Sequence, residues 1–300
     1  MILNNNIRLL NKTTMHKKYT STTIVNDSDS DSDFNCDNKK NIINNNNIIN
    51  SDNNSDNNSD DEIIIQLPVK KRKIQPLLKP FYIEDIDIYE IGVDEVGRGP
   101  LFGRVYTAAV ILPKDNTFDH FKMKDSKKFS SKSKITEMAE YIKLNALAWT
   151  ISYENEKTID EINILQATQK SMTHSIVETR KQFIKKCNNN NNINFHLLID
   201  GNYFKPINIL NKKTNKLQTL PYTTIKGGDN LYSSIAAASI LAKVERDKYI
   251  EQLCVENPLL IDHYNIQSNK GYGAKVHIDG INQHGITQWH RRSFGICKKY

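Results

Sequence analysis

From Ile83 onward, short β-branched apolar runs alternate with longer stretches whose apolar residues recur at helical spacing. Ile88–Val96 and Val105–Leu112 are of the first kind and predict buried strands. Ser133–Trp149 carries Ile135, Met138, Ala139 and Ile142 at a 3.6-residue period, which predicts a helix. Thr158 and Glu161 have the spacing of a capping box and predict the start of a long helix reaching about Lys186. Phe195–Asp200 predicts a buried strand ending in an acid, and the Ala-rich Ser234–Leu253 predicts a helix. Strands followed by alternating helices and strands predict an α/β fold, a sheet with helices on its faces. Before Ile83 the pattern vanishes. Residues 1–66 are dominated by Asn, Asp and Ser, including the alternating Asp27–Asp33 and the run Asn44–Asn47. Such tracts bury too little apolar surface to offset the entropy of ordering, so a disordered tail over 1–80 and a folded unit over 81–300 are expected. A second run, Asn188–Asn192, predicts a loop expansion at 188–192.

Composition agrees with this division. Only 38% of the 300 residues are hydrophobic, and the mean hydropathy is −0.58. Residues 1–80 hold 11 Lys and Arg against 10 Asp and Glu, whereas 81–300 hold 30 against 24. The basic excess therefore lies in the folded part, where it favours an anionic partner such as nucleic acid. No apolar run approaches the roughly 18 residues of a membrane span. Cys36, Cys187, Cys254 and Cys297 have no paired spacing, which excludes a zinc knuckle and a dense disulfide framework. Two stretches of the tail have the character of addresses. The acid-free, Lys/Arg- and Ser/Thr-containing first 25 residues fit a mitochondrial transit peptide, and Lys70–Lys73 fits a nuclear signal.

The candidate chemistry is acidic. Asp94 and Glu95 close an apolar strand, although neither residue type favours strands. Adjacent carboxylates repel, and a hard divalent cation relieves the repulsion. The Gly97-Arg98-Gly99-Pro100 turn that follows allows close backbone approach to a ligand, with Arg98 free to fork onto phosphate or hydroxyl. Asp200 ends a second apolar strand, where α/β folds place ligands, and Asp229 follows Lys226-Gly227-Gly228 just ahead of the Ala-rich helix. Each position has a plainer reading: a solvated acidic turn, an Asp-Gly turn, and a helix N-terminal acid. Taken together, four carboxylates with no Cys or His suit Mg²⁺ or Mn²⁺ rather than zinc. Lys243, Glu245, Arg246 and Asp247 are expected to form the solvated distal face of the Ala-rich helix.

The chain resembles the ribonuclease HII family over about Ile88–Phe294. Six ordered segments carry the resemblance: Gly92–Leu101; Asp125-Ser126-Lys127-Lys128; Ile199–Asn202; Lys226–Asp229 with Ser234–Val244; Lys270–Gly273 with His277; and His290–Phe294. The Ser234–Lys243 run and the His290–Phe294 ending are similar to the bacterial single-chain type. The resemblance implies an α/β ribonuclease H-like fold, a mixed central sheet flanked by helices, acting as a monomer. It implies an endoribonuclease that hydrolyses the RNA strand of RNA/DNA hybrids. It also implies incision 5′ of ribonucleotides in duplex DNA by two-metal-ion catalysis, leaving 5′-phosphate and 3′-hydroxyl ends. The family's metal ligands fall on Asp94, Glu95, Asp200 and Asp229. Its 2′-hydroxyl reader falls on Gly97, Arg98, Gly99 and Tyr272, and phosphate contacts fall on Lys127 and Lys128. Gly227-Gly228 stand where the family usually has one glycine, Phe129 where it has Leu, and Arg104 where it has Pro. The Asn-rich tracts are unlike most bacterial members. A mitochondrial or nuclear location is expected for a eukaryotic source and a cytoplasmic one otherwise. The rivals are a fold that binds nucleic acid without cutting it and a phosphatase of small phosphoesters.

Overall fold

The computed structural model describes residues 77–188, 193–211 and 215–300. Residues 1–76 of the expected tail, both address signals and most of the Asn188–Asn192 loop lie outside them, whereas at the end of that tail Leu78 packs on the core and Lys79 pairs with Tyr232. Strand β1 (Ile88–Val96) pairs antiparallel with β2 (Val105–Ile111), which pairs antiparallel with β3 (Ala148–Glu154). On its other side β1 runs parallel to β4 (Asn194–Asp200), and β4 runs parallel to β7 (Tyr222–Ile225). The result is a mixed five-stranded sheet of order β3-β2-β1-β4-β7. A separate hairpin joins β5 (Asn208–Asn211) to β6 (Lys216–Thr219).

Every residue of β2 is buried, because both faces of the sheet are covered. One face packs Ile91, Val93, Ala109, Leu197 and Ile199 against α2 (Glu156–Lys186) through Met172, Ile176 and Phe183. The opposite face packs Ala108 and Val110 against α1 (Lys132–Asn145) and α3 (Ser233–Glu256). Each fully buried Ile, Val or Leu among them contributes about 1.5–3 kcal/mol of transfer free energy. Ala236, Ala237 and Ala238 let α3 lie close against β1 and β2. Gly92 completes that approach. A Cβ there would sit 2.2 Å from the Ser234 carbonyl carbon, so only hydrogen fits. A third cluster joins the far end of α3 to α4 (Leu259–Tyr264), α5 (Ile266–Asn269), α6 (Lys275–His284) and the C-terminal turn around Cys297. No helix among the described residues is long and apolar enough to cross a membrane.

Three sequence expectations change. The helix predicted over Ser133–Trp149 ends at Asn145, whose side chain donates to the Tyr141 carbonyl, and Trp149 belongs to β3. Trp149, Ile151 and Tyr153 alternate with Thr150 and Ser152, a two-residue period hidden behind the helical one. The cap of α2 is Asn155, whose side chain accepts from the Thr158 amide, so Thr158 lies inside the helix. That helix kinks at Asn163 (φ 65°), which accepts from the Gln166 amide and recaps the second part. Arg246 is not on a solvated face. It is 1% exposed and points beneath the turn after β1.

Candidate active site

The parallel register between β1 and β4 ends with Val93 opposite Ile199. Asp94 and Asp200 are the next residue of each strand, so two acids stand side by side at neighbouring carboxyl ends. Val93 and Ile199 point toward α2, so strand alternation turns Asp94 and Asp200 toward α3. There the Ser239 hydroxyl of α3 faces the Asp94 carboxylate, where it works against the rise of that carboxyl's pKa, and is itself bonded to Ser126 at 3.0 Å. The Glu95 amide donates to Asp94 Oδ1 at 2.7 Å. Asp200 Oδ1 accepts from the Gly228 amide at 2.7 Å, which ties β4 to the Gly228–Asn230 turn carrying Asp229. Asp229 accepts from Asn230 at 3.0 Å and lies 3.9 Å from the Lys127 ammonium. Lys128 donates to the Asn230 side-chain oxygen. Lys127 is 80% exposed, so its charge faces outward beside the acids.

The electrostatics are those of anions crowded without enough positive charge. Burial and the charges of Glu95 and Asp200 push the Asp94 carboxyl well above its ordinary range. Burial raises Glu95, and its 3.1 Å pair with Arg98 works against the rise. Burial and the charge of Asp229 raise Asp200. Among the described residues, no three His, Cys, Asp or Glu side chains are gathered into a ready-made metal cage. The carboxylates meet in mutually repelling pairs, with part of their hydrogen-bonding capacity turned to protein donors. An all-oxygen donor set with uncompensated repulsion fits Mg²⁺ or Mn²⁺, whose binding removes that repulsion.

A second feature adjoins the first. Gly97 has φ +90°, and a Cβ there would lie 2.4 Å from Arg246 Nε, so the turn is folded tightly over a buried guanidinium. Arg98 is half exposed and reaches back to Glu95. Tyr272 is 49% exposed, and its Cε1 lies 3.5 Å from where a Gly99 side chain would begin. Gly97, Arg98, Gly99 and Tyr272 thus form one surface next to the acids. Sequence reasoning did not find Ser239, Ser126 or Arg246 as partners of the site. Arg246 had a signal, since it lies four residues from both Ala242 and Ile250 on the buried stripe of α3. The serines had none, because their roles come from two elements distant in sequence.

A family model described as Ribonuclease HII matches residues 91–297. The ribonuclease HII of Bacteroides thetaiotaomicron is 42% identical over 212 residues, covering 70% of this chain and 91% of its own. That of Nostoc sp. is 41% identical over 210 residues, covering 69% and 81%. Among solved structures, a mutant protein of Bst-RNase HIII shares the fold, with a TM-score of 0.50 at 20% identity over 71% of this chain and 68% of that one. With a match across two thirds of its length, this chain belongs to the ribonuclease HII family and is a ribonuclease H enzyme.

Proposed function

We propose that this enzyme hydrolyses the RNA strand of RNA/DNA hybrids and nicks duplex DNA 5′ of an embedded ribonucleotide, leaving 5′-phosphate and 3′-hydroxyl ends. The observation that carries this reading is the contact of two unlike features through Glu95 and Arg98: a repelling carboxylate cluster and a glycine turn roofed by an exposed tyrosine. Asp94, Glu95, Asp200 and Asp229 would hold Mg²⁺ or Mn²⁺. When bound, two such ions supply the charge that activates water and stabilises the leaving oxygen.

The remaining roles belong to the protein. Ser239 and the Glu95 amide fix the Asp94 carboxylate, and the Gly228 amide fixes Asp200. Backbone groups at Gly97–Gly99 meet the 2′-hydroxyl, the group that separates RNA from DNA at a given site, while Tyr272 stacks on the adjacent sugar. Lys127 and Lys128 hold backbone phosphate and set register without reading sequence. The chain works as a monomer, like the bacterial single-chain type that it resembles. Residues 81–300 form the catalytic domain.

The test uses a labelled DNA duplex carrying one ribonucleotide, incubated with Mg²⁺ or Mn²⁺, with an all-DNA duplex and EDTA as controls. A single metal-dependent nick 5′ of the ribonucleotide is expected. Binding without a nick in either metal rejects the reading.

A further inference from the structure

His290 and Arg291 are adjacent, 2% and 0% exposed, and far in sequence from the acids. Every nitrogen of the Arg291 guanidinium donates to a backbone carbonyl. Nη2 donates to Gly97 at 2.6 Å, Nη1 to Arg98 at 3.0 Å and Pro100 at 2.9 Å, and Nε to Gly103 at 2.8 Å. His290 turns the other way. Its Nδ1 faces the Thr287 amide at 2.9 Å, and an amide can only donate, so that nitrogen accepts. Its Nε2 lies 3.1 Å from His277 Nε2, and His277 Nδ1 lies 2.9 Å from the Tyr272 carbonyl, which can only accept. One proton arrangement satisfies all three contacts with both rings neutral: His290 Nε2–H donates to His277 Nε2, and His277 Nδ1–H donates to Tyr272. Burial keeps both rings neutral, with His290 lowered to about 3.

We propose that His290 and Arg291 form a positioning hub that sets the distance between the two halves of the ribose reader, the Gly97–Pro100 turn through Arg291 and Tyr272 through His277. Main-chain bonds brace the same junction: Arg291 N–H to Leu101 at 2.8 Å, Leu101 N–H to Gly271 at 2.8 Å, and Gly103 N–H to Trp289 at 2.9 Å. The hub touches no reacting atom, and it rests on the reading of Gly97–Gly99 and Tyr272 given above.

The experiment is a double-mutant cycle on single-ribonucleotide nicking. His277→Leu is expected to lower kcat/KM by roughly ten- to a hundred-fold, the scale of a misplacement of about 1 Å. In a Tyr272→Ala background the same change is expected to have almost no effect. His277→Asn keeps a donor where Nδ1 stood and is expected to recover most of the rate. Arg291→Lys keeps the charge without the fork and is expected to lose rate while all-DNA duplex binding holds. Equal losses from His277→Leu in both backgrounds, or full rates in folded His277→Leu and Arg291→Lys, overturn the hub alone. Absence of nicking by the unmodified enzyme overturns the ribonucleotide reading and the hub with it. Ring-nitrogen NMR of the unmodified protein reads the tautomers without any variant. Nδ1–H is expected on His277, and Nε2–H there overturns the link to Tyr272.

Discussion

At the scale of single residues, the acids carry opposite consequences for stability and activity. Asp94 is buried beside Glu95 and Asp200, and its raised pKa means that folding disfavours its charge. A group raised in the folded state adds stability below its unfolded pKa and loses it as pH rises through the folded value. Above its unfolded pKa, Asp94 therefore weakens the metal-free fold. Asp94→Asn should lower kcat by at least about 10²–10³-fold, the size expected for losing a central electrostatic group, with hybrid binding retained. The same variant should melt higher than wild type in EDTA, and Mn²⁺ should raise the Tm of wild type but not of the variant. An unchanged or lower Tm in EDTA would contradict the crowded-anion account. Lys127 sits at the same edge with its ammonium in solvent. Lys127→Ala should weaken binding evenly across sequences and reduce the slope of log affinity against log salt by about 1, measured by salt titration.

At the scale of elements, one contact sets the position of α3 and with it Ser239. Gly92 lies flat against the Ser234–Ile235 backbone. Gly92→Ala should destabilise the protein by about 1–3 kcal/mol, the usual cost of overpacking, and shift α3 away from Asp94. Denaturant unfolding and nicking assays should both register it, and a fully active, equally stable Gly92→Ala protein would remove this explanation. The elements also show where sequence patterning stops. β1, β2 and β4 were legible because buried strands are continuous apolar runs. β6 was not, because all four of its residues are exposed and carry no alternation of burial. The Asn155 cap was masked by a better capping-box match three residues later.

For the whole molecule, the C-terminal segment behaves as a clasp. Asp160 near the start of α2 accepts the Arg292 and Ser293 amides at 2.8 and 2.9 Å, while His290 and Arg291 hold the turn and Tyr272. His290 is neutral in the fold, with its pKa lowered to about 3 by burial and by His277, against an ordinary value of 6.5. A lowered histidine contributes stability above the unfolded pKa and loses it as pH falls toward the folded value. Wild type should therefore lose about 1.4 kcal/mol per pH unit below 6.5 relative to His290→Gln. Comparing the two proteins from pH 6.5 to 5 cancels the opposing contributions of Glu90 and Glu156, whose pKa values burial raises. A constant difference across that range would mean that His290 is not held neutral. The sequence by itself determined the layered α/β architecture and marked the candidate acids, because apolar periodicity and residue chemistry are local properties. Only the tertiary structure decided that Asp94 and Asp200 share a register, that Ser239 serves Asp94, and that Arg246 and Arg291 are buried beneath the glycine turn. Those facts depend on strand pairing and helix docking between residues up to about two hundred positions apart, where no local pattern reaches.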